Sequence, residues 1–422
     1  RRLPGSMPPH RCRDPAAVSS NSLPPDEVKL GDRICLYPWV VCGTCENCLT
    51  YGIGACGVCD NSFVYGVPYE SLGFGGAPIR SNSIYEAPYI KGGFGEYMYV
   101  FPGTFMWQVP DDMPSNVASL LDPMAVAMRG VELAMRAPGI FEDSFNLGST
   151  ALVIGDGQIA ALVATIARTL GIQHIIISGF SDQKLQLAKE LYVADEVMNS
   201  SKLSIEERRA IIHKYNHKNG ADVVFQCAGS QYAFRDGVDL LKNVGTLVEI
   251  GNIGTGKPVE FYPGKDLCGK HATYIGMSVN TAKTFDKAFQ MLLKYKQLGL
   301  ERIFSHRATL DTLGEVMSHG KDLDYMKSVI SIGNQDFVSI RKNNCFYIDK
   351  TDFIREWWEN QDSVTLITRP RRFGKTLNMS MTEYFFSVNH VDSRKYFEEL
   401  NIWSYEKFRE LQGSYPVISL SF

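Results

Sequence analysis

From Ala151 to about Ser278 short apolar runs alternate with helical stretches, and this alternation narrows the fold more than any other feature. Ala151-Leu152-Val153-Ile154 reads as a strand, and Gln158 to Leu170 as a helix closed by Gly171. Strand His174 to Ser178 and helix Ser181 to Leu191 follow. Ser204 with Glu207 three residues on forms a capping box that opens a further helix, and strands Asp222 to Gln226 and Thr246 to Ile250 flank another. Strands that are apolar on both faces and joined through helices pair in parallel, because each crossover returns the chain to the same end of the sheet and covers a face. The fold class is therefore α/β, built on a doubly wound parallel sheet.

Gly155-Asp156-Gly157-Gln158-Ile159-Ala160 stands in the turn between the first of these strands and its helix. In a dinucleotide-binding fingerprint Gly155 permits the tight turn and Gly157 lets backbone approach a diphosphate. The small Ala160 allows close helix–strand packing, and the diphosphate sits at the positive helix end. An acidic residue is expected at the end of the second strand to bind the ribose 2′-hydroxyl, and Gly179 stands there instead. That small residue leaves room for a 2′-phosphate bound by Ser178, Ser181 and Lys184, which tips the expectation towards NADP. A ribose served by Asp182 or by water keeps NAD open.

Ten cysteines are present, five of them crowded between Cys42 and Cys59. Cys42, Cys45, Cys48 and Cys56 form a Cys-x2-Cys-x2-Cys-x7-Cys array. Three thiolates at that spacing wrap one tetrahedral Zn²⁺, and a fourth from a nearby turn closes the shell. Four sulfur ligands leave no open coordination position, so such a site is structural. Cys59 is an alternative fourth ligand, and free or oxidised thiols are the competing reading.

The array lies between Val28-Lys29-Leu30-Gly31-Asp32-Arg33 and Gly92-Gly93-Phe94-Gly95-Glu96-Tyr97. With these flanks it resembles the zinc-containing medium-chain alcohol and polyol dehydrogenases over about residues 28–331. The resemblance implies a GroES-like β-rich catalytic domain at 28–150, a Rossmann domain at 151–295, and a return to the catalytic domain at 296–332. It also implies hydride transfer between a secondary alcohol and NAD or NADP, with a second, catalytic zinc, and a homo-oligomer. In the polyol branch a carboxylate just before the Rossmann domain binds that zinc; Leu121-Asp122-Pro123-Met124 fits the place, so Asp122 is the matching residue. A helix cap is the competing reading for Asp122. The family's other two ligands have no counterpart, since His10 and Cys12 lie in a Pro/Arg-rich segment in the wrong order and spacing. Residues 1–27 read as disordered or foreign to the fold, the catalytic domain as incomplete, and turnover as doubtful.

Composition shifts near Gly333, beyond which the chain is more aromatic and more charged. Gly374-Lys375-Thr376 has the form of the end of a P-loop, with Arg369 where the leading glycine belongs. From Asn334 through Tyr347-Ile348-Asp349-Lys350 to Thr376 the sequence resembles the start of the predicted AAA-ATPase-like proteins, over about 333–422. That resemblance implies ATP binding by a partial P-loop α/β segment, and the alternative function is an ATP-binding module fused to a non-catalytic dehydrogenase remnant.

A net charge of -3 gives no electrostatic reason to expect nucleic acid or an anionic membrane as partner. No apolar run is long enough to span a bilayer and no secretory h-region opens the chain, so a cytoplasmic location is expected.

Overall fold

The computed structural model describes residues 22–23, 28, 32–60, 62–66, 91–94, 98–101, 103–137, 146–191, 193–252, 257–309, 312–330, 337–342, 347–360 and 375–417. The chain divides into two compact units, one holding Arg1–Val28 with Arg33–Ile330 and the other Lys29–Asp32 with Ser331–Phe422.

The first unit begins with short strands. β1 (Ser22–Leu23) and β2 (Ile34–Leu36) flank β5 (Met106–Gln108), while β3 (Trp39–Val40) pairs with β4 (Phe63–Val64). β2 and β3 are separated at Pro38, which has no N–H for a ladder. Two helices follow β5, α2 (Ser115–Ala118) and α3 (Leu121–Met135). The segment holding His10 and Cys12 and the loop before Lys375 lie outside the described residues.

Six parallel strands form the large sheet: β6 (Thr150–Ile154), β7 (His174–Gly179), β8 (Glu196–Asn199), β9 (Ala221–Gln226), β10 (Leu241–Glu249) and β11 (Thr273–Gly276). Their spatial order, β11-β10-β9-β6-β7-β8, is the 3-2-1-4-5-6 order of a Rossmann sheet. The helices between them are α4 (Gln158–Thr169), α5 (Asp182–Glu190), α6 (Ile205–Asn216) and α7 (Gln231–Leu240). Every residue of β6 and of β9 is buried, the consequence of covering a parallel sheet on both faces. Helix α4 is apolar almost all round because it packs on β6 and β7 and also against α3, which in turn meets α8 (Ala282–Leu292). Ser204 and Glu207 close the expected capping box at α6.

At the sheet's N-terminal edge Asp222 is almost fully enclosed. Its carboxylate accepts from Thr150 N (2.9 Å) and pairs with Lys218 Nζ (2.8 Å) and Lys242 Nζ (2.5 Å). Burial alone would raise its pKa, but these donors hold it below the ordinary carboxylate value.

The irregular stretch of β10 between Leu241 and Thr246 places Val244 at φ 61°. A β-branched side chain in the left-handed region is strained, while its N–H is fixed by Lys270 O at 2.7 Å. Val244→Gly should stabilise the chain by about 0.5–1 kcal/mol, the relief of ~1–2 kcal/mol less the added chain entropy of glycine. Urea unfolding checks this; an equal loss of stability would show that Val244 packing outweighs the strain.

Candidate functional site

The fingerprint turn leaves β6 at the point where strand order reverses, with β7 on one side and β9 on the other. Gly155 has φ 124° and donates from its N–H to Ser178 O at 2.7 Å. A Cβ there would lie 3.3 Å from the Cys227 carbonyl carbon, so only glycine fits the crossing between β6 and β9. Gly157 is the N-cap of α4, and a Cβ on it would meet nothing within 4 Å. Its backbone therefore faces open space at the helix's positive end. Ala160 is buried against the sheet. Gln158 Oε1 is buried beside this turn without a hydrogen-bond partner, a polar atom that a ligand or water would satisfy.

At the end of β7 the space left by Gly179 is filled. The Asp156 side chain crosses to it, with Oδ2 accepting from Phe180 N and Ser181 N, both at 2.7 Å. Two of the three expected phosphate ligands, Ser181 and Lys184, face other groups, and the Ser178 hydroxyl is buried without a partner. Ser178 is buried, Ser181 Oγ caps α5 by accepting from Lys184 N (3.4 Å), and Lys184 Nζ lies 4.0 Å from Asp156 Oδ1. Asp182, the alternative ribose ligand, pairs with Lys202 and accepts from Asn199 Nδ2 at 2.8 Å. Asp156 was missed in the sequence because its partners lie 24 and 25 residues away. The ends of β9 and β10 add a second polar group: Gln226 Nε2 donates to Ala228 O (2.7 Å) and reaches Glu249 Oε1 (3.2 Å), and burial raises the Glu249 carboxyl pKa.

In the cysteine lobe the sulfurs of Cys42, Cys45, Cys48 and Cys59 all lie within 4.8 Å of one another. Cys42 and Cys48 sulfurs are 3.9 Å apart, and Cys45 and Cys59 sulfurs 4.0 Å. Edges of ~3.8 Å are what a tetrahedron of Zn–S bonds near 2.3 Å requires. The sulfur gathered with those of Cys42, Cys45 and Cys48 is that of Cys59, the alternative fourth ligand, and the expected Cys56 is not in the group. Helix α1 (Glu46–Tyr51) runs into a 3-10 turn, Gly52–Gly57, whose end carries Cys59 back to the cluster through Cys59 N–H to Ala55 O at 2.7 Å. Cys56 points away, its sulfur 3.2 Å from Asn280 O. Spacing alone could not show which way the turn would face.

Burial would raise the Cys42 thiol, but Thr44 and Cys45 N–H groups and the Thr44 hydroxyl donate to its sulfur and bring it down to about 6. Burial, helped by the adjacent Cys59 and Cys45 sulfurs, raises Cys48 well above an ordinary thiol. Four crowded sulfurs with amide donors around them form a cage that a dication would neutralise. Among the described residues this is the one group of three or more His, Cys, Asp or Glu side chains close enough to share a metal.

Asp122 sits in the first turn of α3. Its side chain reaches solvent but is surrounded by protein on most sides, which raises its carboxyl pKa above 3.8 against the opposing influence of Asn280 and Lys327. Tyr37 Oη donates to Asn280 O at 2.8 Å, so Tyr37 and Cys56 share that carbonyl. The sequence pointed to Asp122 and not to this group around it.

In the second unit a helix spans Lys375–Phe386 and packs Met381, Phe385 and Phe386 into an aromatic core with Phe337 and Phe397. Lys375 and Thr376 open that helix; their side chains, and Gly374, lie outside what is described.

Residues 159–294 match the family described as zinc-binding dehydrogenase. That match falls on the Rossmann sheet and the helices that cover it. Residues 331–422 match a second family, described as predicted AAA-ATPase. Over 298 residues the chain is similar to L-threonine 3-dehydrogenase of Xanthomonas campestris pv. campestris strain B100, with 26% identity, 69% of this chain and 74% of that one. Its fold is similar to that of an alcohol dehydrogenase of Thermotoga maritima (TM-score 0.62, 24% identity, 72% of this chain and 77% of that one). A zinc-binding dehydrogenase of Sinorhizobium meliloti 1021, solved bound to NADP, shares the fold as well (TM-score 0.57, 24% identity, 72% and 78%).

Purified protein should hold one zinc per chain by elemental analysis. Cys59→Ser should abolish retention of the ion, while Cys56→Ser should keep it; the reverse pattern would restore Cys56 to the shell. Because the folded pKa of Asp122 is raised, its charged form is penalised as pH rises from about 4 through the folded value. Asp122→Asn should therefore raise the melting temperature at pH 7 relative to the parent, with the difference vanishing near about pH 3. A difference that grows at low pH would contradict the assignment.

Proposed function

We propose that the first unit is a zinc-containing, nicotinamide-linked oxidoreductase that interconverts a secondary alcohol or polyol and its ketone. The observation that carries this reading is the fingerprint turn at the strand-order reversal of a 3-2-1-4-5-6 sheet, with open space beside the α4 N-terminus. When bound, the dinucleotide supplies the hydride acceptor or donor. The chain supplies Gly155 and Gly157, which let backbone reach the diphosphate, and the free N–H groups of the first turn of α4, which hold its charge. A zinc held by Cys42, Cys45, Cys48 and Cys59 keeps the lobe folded and offers no position to substrate. Asp122 is the residue we place at the substrate end. No Cys or His joins it in a metal cluster among the described residues, so we expect cofactor binding to outlast turnover.

The net charge of -3 supports a protein without nucleic-acid partners, and among the described residues no helix is long and apolar enough to cross a membrane. We place the protein in the cytoplasm as a homo-oligomer, following the family it resembles. A second reading, ATP binding by the second unit, is favoured by the family match over 331–422 and by Lys375 at a helix start.

NADH fluorescence titration tests the primary reading. The parent should bind with a dissociation constant in the micromolar range, about -8 kcal/mol. Gly157→Asp has room for its side chain and supplies a good helix cap, so the fold should persist while a carboxylate meets the diphosphate. Binding should weaken at least ~tenfold at an unchanged melting temperature; undiminished affinity would place the cofactor elsewhere.

A further inference from the structure

We propose that the Asp156 carboxylate reads the adenosine ribose of the dinucleotide and makes this site select NAD(H) over NADP(H). The inference rests on the dinucleotide reading above and deepens it. In a sheet of this order the adenosine ribose lies at the end of the second strand, where an acidic side chain accepts from the 2′-hydroxyl. Here that strand is β7, and it ends in Gly179.

The acid has not been lost; it arrives from a different backbone position. Asp156 lies between the two fingerprint glycines, and its side chain reaches across to the end of β7. A Cβ on Gly179 would stand 2.5 Å from Asp156 Cβ, 2.7 Å from Oδ2 and 2.9 Å from Cγ. The carboxylate thus occupies the volume an acidic residue at 179 would fill, and Gly179 is the concession that admits it.

The geometry also fixes which oxygen faces a ligand. Oδ2 is tied down by the N–H groups of Phe180 and Ser181, the two residues that follow β7. Oδ1 has only Lys184 Nζ nearby, at 4.0 Å, beyond hydrogen-bond reach. The side chain keeps 17% of its surface exposed, enough for Oδ1 to accept from a ribose hydroxyl. A carboxylate accepts only, so it favours a hydroxyl donor and disfavours a phosphate group.

A 2′-phosphate would bring close to two negative charges against this carboxylate. Little there would compensate. Lys184 already faces Asp156, Ser181 Oγ is committed to the α5 cap, Ser178 is buried, and Lys202 is paired with Asp182. The room for a 2′-phosphate that Gly179 promised in the sequence is taken.

The test uses the full chain and titrates NADH and NADPH separately by fluorescence, with thermal melts as a folding control. The parent should bind NADH at least ~tenfold more tightly than NADPH. Asp156→Asn keeps an acceptor for Phe180 and Ser181 while removing the charge, and should cut that preference to within ~threefold, chiefly by tightening NADPH. A double variant, Asp156→Gly with Gly179→Asp, moves the acid to the end of β7 and should recover the preference. Equal affinities in the parent, or a ratio unmoved in Asp156→Asn, would overturn the inference while leaving the dinucleotide site standing. Binding of neither nucleotide would remove both.

Discussion

Everything in the first unit hangs on a parallel sheet that has to be covered on both faces. β6 and β9, fully buried, can be covered only if crossovers run to both sides, and that requirement reverses strand order between them. The reversal opens a crevice at the C-terminal ends of the strands, and the first turn out of β6 delivers a helix N-terminus into it. Burial and the proposed binding site are consequences of one constraint. Helix α4 pays for nothing with its polarity: wedged among the sheet and α3, it keeps its only useful dipole end at the crevice.

The two ends of the sheet divide the labour. At the N-terminal edge Asp222 collects Thr150 N–H, Lys218 and Lys242, tying the starts of β6, β9 and β10 through a charge that is compensated on every side. At the C-terminal edge polar groups are left with unused capacity, among them Gln158 Oε1 and Asp156 Oδ1.

Most of this architecture was legible in the sequence because it is written in local periodicity. Strand–helix alternation located β6, β7 and β9 to within one residue at each end and β10 with a late start, and Ser204 with Glu207 announced α6, while β8 and β11 went unread. What stayed hidden depended on where side chains point after a turn. The cysteine spacing named the lobe, yet a 3-10 turn at Gly52–Gly57 decides that Cys59 faces the cluster and Cys56 faces Asn280. Gly179 read as vacant space because an acid was sought at that position alone, whereas the carboxylate comes from Asp156, 23 residues earlier by number, through contacts of high sequence separation.

The claim that the crevice beside β6 is the cofactor site can be tested directly by amide hydrogen exchange on the full chain with and without NADH. Ligand that binds the native state should slow exchange at its contacts. The account predicts protection concentrated at residues 155–160 and 179–181, with 375–386 unchanged. Protection confined to 375–386, or none in the fingerprint turn at saturating NADH, would contradict it.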